Sequence, residues 1–534
     1  MTLTAHPVGT SSSTPARPVH LLWAGRPGTG GSRPATDSQW VALAILATVV
    51  ALALRGTALT AKSLWFDETF SVFLASQPVT RLLALVAAND PHPPLYYLLL
   101  HFWIVVFGNG EVAVRALSVL ISTASVLVTW LFGRRLVGPL PALLAAGFVA
   151  VAPSQVATGQ QARMYGLLTL IGIASWWVLQ TAVSGGRRRA WIIYALGLAA
   201  MIYTHYYGFF IWASQGAYLA WRRTTGSVDW RRWVYASLAV LLLFLPWLPA
   251  FIDQLASGRA WPAHRSPLSW TLPVDTLWGM TMTGSIVNAV HRGAWTVQAV
   301  STAGVPLVGI AAAGLLGLIA IRSRKYPRDA KGLLLFAALF PLLLSLLVSL
   351  GINVFSPRYL VFIMPAIALV MGAGISAVWA SPRRWATSAA VALAIAVLVP
   401  NAIGLVSFYR KPRLDVFDWR RIAQALAAEA RPDDAIVFLP GFSRIPVNYY
   451  FRGPQPRLAL TPDGADVVGA GGARMDAVVP FLARHPRVWI VTVPPVPTSV
   501  NAMIDALRHN SYRLTKQGNI NMAHLILLER LSGR

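Results

Sequence analysis

The stretch KSLWFDETFSVFLASQP, Lys62 to Pro78, follows the first long apolar run and places two adjacent acids among aromatic and aliphatic residues. If this stretch is helical, Asp67 and Glu68 point about 100° apart, so that one carboxylate faces a reacting centre while the other holds a neighbouring group. Acids also favour helix N-termini, and a solvated helix start explains the local sequence equally well. Features elsewhere in the sequence are needed to distinguish these two interpretations.

The composition of the chain indicates a protein that crosses a membrane many times. Of 534 residues, 56% are hydrophobic and only 12% are charged, and the mean hydropathy is +0.56. Soluble domains carry about 25% charged residues. The net charge of +26 comes from short basic clusters between apolar runs, which is typical of topology signals and anionic lipid contacts rather than nucleic-acid binding. The sequence has no cysteine, which excludes disulfides, cysteine-ligated zinc and thiol catalysis.

Apolar segments long enough to cross a hydrocarbon core of about 30 Å predict about eleven transmembrane helices. They lie near residues 40–57, 112–132, 137–152, 166–183, 190–204, 208–221, 233–251, 299–321, 332–350, 359–380 and 385–406. Residues 1–38, rich in Ser, Thr, Pro, Gly and Arg, are expected to form a disordered arm. The transmembrane region is therefore assigned to residues 39–408.

The apolar stretch PPLYYLLLHFWIVVF, Pro93 to Phe107, is predicted to lie in the membrane interface. From Pro94 it offers about 14 helical residues, or roughly 21 Å, which is too short for a comfortable crossing. With this assignment the basic clusters, such as Arg134-Arg135 and Arg187–Arg189, fall on one face, which is expected to be cytoplasmic. The N-terminus is then inside, and the loop that carries the two acids is outside.

Residues 409–534 have a different composition and are predicted to form a small extracytoplasmic α/β domain. FDWRRIAQALAAEARPDDAIVFLP indicates a helix, a turn and a strand, and RVWIVTVPP and MAHLILLER indicate further strands, with SVNAMIDALRHN as a helix between them. The sequence has no phosphate-loop or dinucleotide fingerprint in a strand-to-helix context, which argues against a nucleotide-sugar donor.

Three further motifs place phosphate-binding side chains on the same outer face as the acids. In NDPHPPLYYLL, two prolines fix the backbone beside His92. GQQARMYG places Arg163 and Tyr165 in the next outer loop, and NVFSPRYLVFIMP places Arg358 at the start of a span. Arginine and histidine suit a phosphate diester. Each motif alone also fits a capping turn, a lipid-headgroup contact or an aromatic belt.

Taken together, these residues favour a chemical site over isolated surface features. A carboxylate base, a histidine and two arginines at one membrane surface suggest transfer of a group from a lipid phosphate to a hydroxyl acceptor. His205, in the turn YTHYYGFF, is interpreted as part of the interfacial aromatic residues and is left out of the site.

The order of these motifs resembles a known family. LWFDETFSVFLA, HPPLYYLLLHFWIVVFGNGEVAVRALSVL, FGRRLVG, SQVATGQQARMYGLLTL and FSPRYLVFIMPAIAL are similar to motifs of the GT-C membrane glycosyltransferases that use polyprenyl-phosphate sugars. That group contains protein O-mannosyltransferases and bacterial lipid A aminoarabinose transferases. The resemblance covers roughly Leu64 to Leu170 well and the later spans loosely. It implies a GT-C-like fold with interfacial helices in the first outer loop, in a multi-pass protein of the plasma membrane that acts in cell-envelope biogenesis or protein glycosylation.

The resemblance also implies roles for individual residues. The catalytic pair is Asp67 as general base and Glu68 as a supporting or acceptor-orienting group, and the residues at the donor phosphate and its surroundings are His92, Arg163, Tyr165, Arg358 and Tyr359. One-step inversion at the sugar carbon, with the lipid phosphate as leaving group, is implied. No cofactor and no metal are expected, because QQARMYG lacks the acid pair of the oligosaccharyltransferase branch. The expected partners are a polyprenyl-phosphate sugar, a glycan, glycolipid or protein acceptor, and the bilayer, but no nucleic acid.

The sequence leaves alternatives open. Mannose is the expected sugar, and the same fold transferring arabinose or another pentose is not distinguished from it. A transporter or flippase of a lipid-linked sugar would place ionisable residues at mid-membrane and would show matching halves, whereas the apolar runs here are almost free of charge. A non-catalytic scaffold that presents the C-terminal domain would leave the outer acids and arginines without a purpose.

Overall fold

The computed structural model describes residues 36–185, 187–224, 228–257, 297–352, 354–410, 417–460, 481, 484–493, 512–520 and 523–531, with backbone only for residues 297–307. The arm predicted over residues 1–38 lies almost entirely outside the described residues, and the helix predicted in SVNAMIDALRHN lies wholly outside them. The boundaries of the three predicted regions therefore stay predictions.

The part of the described chain before residue 411 is helical. Its helices are α1 (Asp37–Gly56), α2 (Phe66–Ala75), α3 (Val79–Asn89), α4 (Leu95–Phe107), α5 (Glu111–Leu136), α6 (Pro139–Val151), α7 (Pro153–Gly159), α8 (Tyr165–Gly185), α9 (Arg188–Thr204), α10 (Gly208–Arg223), α11 (Trp230–Phe244), α12 (Leu248–Ala256), α13 (Val297–Arg322), α14 (Arg328–Ser349), α15 (Met364–Trp379) and α16 (Ala386–Arg410). A 3₁₀ turn, Leu245–Trp247, joins α11 to α12, and another, Pro357–Ile363, leads into α15.

Each predicted span is found as a helix, but not each helix meets the requirements of a membrane crossing. Within the described residues, seven helices are long and apolar enough to cross, or eight if the bent pair α6 and α7 is one span. The exceptions include α9, with 17 residues, and α10, with 16, which are short and carry arginines at one end. The predicted number of about eleven spans is therefore not confirmed, although the polytopic helical class is.

Helix α4 is the stretch predicted from the sequence to lie in the membrane interface. Its 13 residues extend about 20 Å and end at Gly108, whose φ of +78° favours glycine. Tyr96 and Tyr97 are buried, whereas Phe102 and Val106 on other faces are exposed. The helix is too short to cross a bilayer unaided, as predicted, and it packs against α2 and α5 beside the two acids.

The bend between α6 and α7 is fixed by a buried arginine. The two helices meet at an angle of 59°, and because Pro153 lacks an N–H group, carbonyls at the end of α6 need other donors. Arg55 of α1 donates to the carbonyl oxygens of Val149 at 3.1 Å and Ala150 at 3.0 Å, and to Ser122 Oγ at 2.9 Å. This cap determines the direction of α7 and hence the position of the turn that follows it.

Helix α15 lies at the centre of the bundle, where glycine permits close contact between backbones. A Cβ atom at Gly372 would lie 2.2 Å from the carbonyl oxygen of Pro141 in α6, and one at Gly374 would lie 2.3 Å from that of Leu316 in α13. The helices therefore approach each other at small residues, as is common in membrane proteins.

The C-terminal unit, defined as the described residues from 417 to 531, contains a sheet of five strands. Its elements are α17 (Trp419–Glu429), β1 (Ala435–Leu439), α18 (Arg444–Tyr450), β2 (Arg457–Ala459), β3 (Arg487–Thr492), β4 (Tyr512–Ile520) and β5 (Ala523–Arg530). The strand order is β2-β1-β3-β5-β4, with β1 parallel to β2 and β3, and β5 antiparallel to β3 and β4. The helix, turn and strands that the sequence predicted here are present, and α18, β2 and β4 were not predicted.

Gly372→Ala is expected to lower the stability of the bundle by about 1–3 kcal/mol, because the added methyl group meets backbone that cannot move independently. Gly147→Ala is the matched control on α6, since a Cβ atom there meets nothing within 4 Å. Thermal unfolding of the two purified variants in the same detergent measures the difference. An unfolding temperature for Gly372→Ala at or above that of Gly147→Ala would contradict the packing described.

Candidate active site

Glu68 is the central buried carboxylate in the region between α1 and α5. It lies in the first turn of α2, with a fully buried side chain, and accepts hydrogen bonds from Arg115 Nε at 2.8 Å and Nη2 at 2.6 Å. It also accepts from the backbone N–H groups of Ala162 at 3.0 Å and Trp65 at 3.3 Å. All of these partners hold Glu68 in place, so its carboxylate joins α2, α5 and the turn after α7.

Asp67, the neighbouring acid, points in another direction and is partly open to solvent. Its side chain is 24% exposed, and Arg358 Nη1 lies 3.6 Å from Asp67 Oδ2. That separation is longer than a direct hydrogen bond, so the carboxylate is attracted by the guanidinium without being enclosed by it. The two adjacent acids are therefore divided as the helical geometry predicted: one is buried and fully bonded, and the other faces an opening.

The turn between α3 and α4 holds His92 against Asp90. Asp90 Oδ1 accepts from the backbone N–H of His92 at 2.7 Å and lies 2.8 Å from the ring nitrogen Nδ1. Burial lowers the pKa of His92 below its ordinary value, even though Asp90 acts in the opposite direction. A neutral ring that donates its Nδ1 proton to Asp90 leaves Nε2 as an acceptor.

Arg163 connects this turn to α2. It is buried, and its Nη1 atom donates to Tyr97 Oη at 3.0 Å, to Ser71 Oγ at 3.1 Å and to the carbonyl oxygen of Asp67 at 3.4 Å. Its Nη2 atom lies 3.3 Å from His92 Nδ1. Burial opposes the charge, but Tyr97 and Asp67 raise the pKa of Arg163 above its ordinary value, so the guanidinium stays protonated.

Aromatic rings form the rest of the cluster. The rings of Tyr165 and Tyr359 stack with centroids 6.1 Å apart, and Tyr359 lies 5.8 Å from His92. Arg358 lies over the Tyr359 ring at 5.5 Å and over the Trp65 ring at 5.8 Å. The predicted site residues from four separate stretches of the chain are therefore brought together around Asp67.

Some buried polar atoms in this cluster lack a hydrogen-bond partner among the described residues. They are Arg163 Nε, Tyr165 Oη and Trp65 Nε1. A buried donor without a partner costs about 1–3 kcal/mol, which is tolerated at sites where a ligand supplies the acceptor. The positive charge of Arg163 is therefore available to an anion, and its Nε–H group has no hydrogen-bond partner among the described residues. Among the described residues, no group of three or more acids and histidines is placed to hold a metal ion.

Several members of the cluster were not predicted from the sequence. His205 lies between α9 and α10 with its ring 4.6 Å from that of Tyr359 and 5.0 Å from that of His92, so it belongs to the site rather than to an interfacial belt. Arg115 was counted as part of a span, although an arginine four residues into an apolar helix was a usable signal. Asp90 and Tyr97 were visible within the motif around His92 but were given no role.

Comparison with known proteins agrees with this architecture. A family model described as dolichyl-phosphate-mannose-protein mannosyltransferase matches residues 91–249, which include His92, Arg163 and Tyr165. No curated protein sequence matches the chain. The match begins after the two acids, so it gives no information about Asp67 or Glu68.

Solved structures share the fold over most of the chain. ArnT from Cupriavidus metallidurans, solved with undecaprenyl phosphate bound, has a TM-score of 0.62 at 14% identity, over 92% of this chain and 98% of that one. The oligosaccharyltransferase of Archaeoglobus fulgidus has a TM-score of 0.54 at 12% identity, over 88% and 71% of the two chains. The arabinofuranosyltransferase AftD from Mycobacteria has a TM-score of 0.51 at 14% identity, over 94% of this chain but only 40% of AftD.

The class of protein follows from these findings. The chain is a multi-pass membrane protein with the fold of GT-C glycosyltransferases, and the resemblance predicted from the sequence is confirmed. The matching family model and the shared fold together support the prediction that the chain is a glycosyltransferase.

Glu68→Gln is expected to destabilise the protein by about 3–5 kcal/mol, because it leaves the buried guanidinium of Arg115 without its carboxylate. Asp67→Asn is the matched control: its weaker, partly exposed ion pair is expected to contribute no more than about 1 kcal/mol. Thermal unfolding in detergent compares the two variants. Equal shifts in unfolding temperature would contradict the division between a buried and an open acid.

Proposed function

We propose that the protein transfers a sugar from a polyprenyl-phosphate carrier to a hydroxyl group of an acceptor. The main observation behind the proposal is a partly open carboxylate, Asp67, that lies 3.6 Å from the Arg358 guanidinium, while the buried Arg163 guanidinium donates to the backbone carbonyl oxygen of the same residue. A base for an alcohol and a cationic site for a phosphate are the two functions that such a transfer requires. They lie on adjoining sides of one cluster.

The donor class is supported by what the similar proteins bind. The ArnT structure contains undecaprenyl phosphate, and one structure of the archaeal oligosaccharyltransferase contains a dolichol-phosphate. The matching family model is described by dolichyl-phosphate-mannose. A lipid-linked sugar phosphate also suits the chemistry of this cluster, because Arg163 is buried beside helices with exposed apolar faces.

The proposed mechanism is a single inverting displacement. An acceptor hydroxyl attacks the anomeric carbon of the donor while Asp67 takes the hydroxyl proton. The new carbon–oxygen bond forms as the bond between the anomeric carbon and the phosphate oxygen breaks, and the lipid phosphate leaves with the bonding electron pair. Arg163 and Arg358 stabilise the negative charge that develops on the phosphate. In this scheme Glu68 does not react; it positions Arg115 and the start of α2.

The remaining predicted residues surround the donor in this proposal. Tyr165 and Tyr359 provide aromatic walls, and Tyr165 Oη is a buried donor without a partner among the described residues. His92, held by Asp90, lies beside Arg163 at the phosphate. His205 joins this wall through its contacts with His92 and Tyr359. No step is assigned to a metal or cofactor, and activity is expected to persist in the presence of a chelator.

We favour mannose as the sugar, because the family model that matches residues 91–249 is described by a mannosyl carrier. Arabinose is the alternative, supported by the shared fold of the mycobacterial arabinofuranosyltransferase. The acceptor is a cell-envelope glycan, a glycolipid or a protein.

Purified protein assayed with polyprenyl-phosphate mannose and arabinose, against each acceptor class and with and without chelator, tests the proposal. Transfer from neither donor to any acceptor would overturn it.

We also propose that the site lies on the outer face of the plasma membrane, with the N-terminus inside. Helices α5 and α10 both end in arginine pairs, at the end of the bundle away from Asp67. Basic residues concentrate on the cytoplasmic side of membrane proteins. Cysteines introduced at Ser38 and Lys516 and labelled with a membrane-impermeant reagent in whole cells test this orientation, which requires labelling at Lys516 alone.

Asp67→Asn is expected to reduce kcat by about 10²–10⁴-fold, because the amide cannot accept the proton of the acceptor hydroxyl. Binding of undecaprenyl phosphate to the purified variant should be retained. Asp37→Asn, at the far end of α1, is the matched control and should behave like the unmodified protein. Transfer at the normal rate by Asp67→Asn would remove this carboxylate from the mechanism.

Arg163→Gln is expected to weaken binding of undecaprenyl phosphate by about 10–100-fold, because charged hydrogen bonds to the phosphate are lost. The Michaelis constant for the donor should rise accordingly. Arg81→Gln, which alters an exposed arginine of α3 between α1 and α5, is the control. Equal affinities for the two variants, measured by titration with undecaprenyl phosphate, would contradict the assignment of Arg163 to the phosphate.

A further inference from the structure

Helix α5 begins with two charged residues, one turn apart, that bind different parts of the molecule. Arg115 holds Glu68 of α2, as described above. Glu111 accepts hydrogen bonds from Arg420 of α17, at 3.1 Å from Nε and 2.5 Å from Nη2, and from the hydroxyl group of Tyr450 in α18. All three of these donor groups belong to the C-terminal unit. The first turns of α5 therefore join the catalytic loop to that unit.

The segment between α1 and α2, residues 57–65, is hydrogen-bonded both by Arg115 of the helical bundle and by Arg420 of the C-terminal unit. From the bundle side, Arg115 donates to the carbonyl oxygens of Leu59, Lys62 and Ser63, at 2.9 Å for Lys62 and 3.2 Å for Ser63. From the C-terminal unit, Arg420 Nη2 donates to the carbonyl oxygen of Thr60 at 3.0 Å. The segment is thus enclosed between two guanidiniums on different elements.

Tyr450 connects the C-terminal unit to the backbone just before the helix that carries the proposed catalytic base. Its hydroxyl oxygen accepts from the backbone N–H of Leu64 at 2.7 Å while its proton is donated to Glu111. Leu64 lies one residue before the N-cap of α2, and Asp67 is in the first turn of that helix. The ring of Phe442 also packs edge-on against Phe66, with centroids 5.0 Å apart. A shift of α18 would therefore move the start of α2.

The position of Glu111 makes it the junction of these contacts. Its side chain is 13% exposed, so the carboxylate is largely withdrawn from water and depends on its partners. If Glu111 loses its charge, Arg420 loses its counter-ion, and Tyr450 keeps only a neutral, weaker acceptor for its hydroxyl group. Both changes alter hydrogen bonds to residues 57–65 directly. Asp67 lies in the first turn of α2, the helix that follows this segment.

We propose that Glu111 is a positioning residue that couples the C-terminal unit to Asp67. The unit acts as a clamp on the catalytic loop, and Glu111 transmits its position through Tyr450 and Leu64. The role of Asp67 in this inference rests on the proposed function. The structural coupling between Glu111 and the start of α2 does not. A base displaced by about 1 Å loses as much as about 10²-fold in rate, so that a contact remote from the reacting atoms can control the chemical step.

The test uses the full-length protein in lipid nanodiscs, with Glu111→Gln and Tyr450→Phe as separate variants. For each, kcat is expected to fall by about tenfold while the Michaelis constant for the donor changes by less than about twofold, because the phosphate ligands are untouched. Hydrogen–deuterium exchange should accelerate at the amides of Leu64 to Thr69. Lys516→Met removes an exposed ion pair with Glu429 inside the same unit and is the matched control for both measurements.

Each result has a defined meaning. Normal kcat per folded molecule and normal exchange at Leu64 to Thr69 in both variants would overturn the coupling, even if the yield of protein fell. A fall in kcat with slower binding of the donor, and unchanged exchange, would also overturn it. If the unmodified protein transferred no sugar, the proposed function would fail, and accelerated exchange in the two variants would still establish the coupling.

Discussion

The buried ion pair between Glu68 and Arg115 is the contact on which the arrangement of the site depends. Two charges withdrawn from water are costly unless both are fully hydrogen-bonded, and here each carboxylate oxygen and several N–H groups are engaged. Glu68 is next to Asp67 in sequence, and another of its partners, the backbone N–H of Ala162, is next to Arg163. A single carboxylate therefore fixes the proposed base relative to the proposed phosphate ligand, although they are far apart in the chain.

Much of the architecture was predictable because it follows local rules. The length of the apolar segments predicted the helices, and proline and glycine predicted the ends of α4. The angle of about 100° between successive helical residues predicted that the side chains of Asp67 and Glu68 point in different directions. The partner of Glu68 was not predictable in this way, because Arg115 is 47 residues distant and Ala162 is 94. His205 was missed for the same reason: only the tertiary fold brings the turn between α9 and α10 against Tyr359 of the 3₁₀ turn Pro357–Ile363 and against His92.

The number of membrane spans was predicted less accurately than the helices themselves, and the physical reason is visible in two helix pairs. Helices α6 and α7 form one apolar segment in sequence but bend at Pro153, where Arg55 supplies the missing donors. Helices α9 and α10 are only 17 and 16 residues long and are stabilised by neighbours rather than by length, as in the hydrogen bond from Tyr194 to Gln215 at 2.8 Å. Hydropathy measures affinity for lipid and does not register such contacts between helices.

The exposure of the charged residues gives the site a direction. Arg163 is 3% exposed, Asp67 has a side chain that is 24% exposed, and the side chain of Arg358 is 49% exposed. A buried guanidinium interacts more strongly with an anion than an exposed one, since less of its field is screened by water. In the proposed mechanism the phosphate therefore binds both guanidiniums, most strongly that of Arg163, and the acceptor reaches Asp67 from the solvent-exposed side of its carboxylate. Donor and acceptor then approach the anomeric carbon from different directions, which is the geometry that an inverting displacement needs.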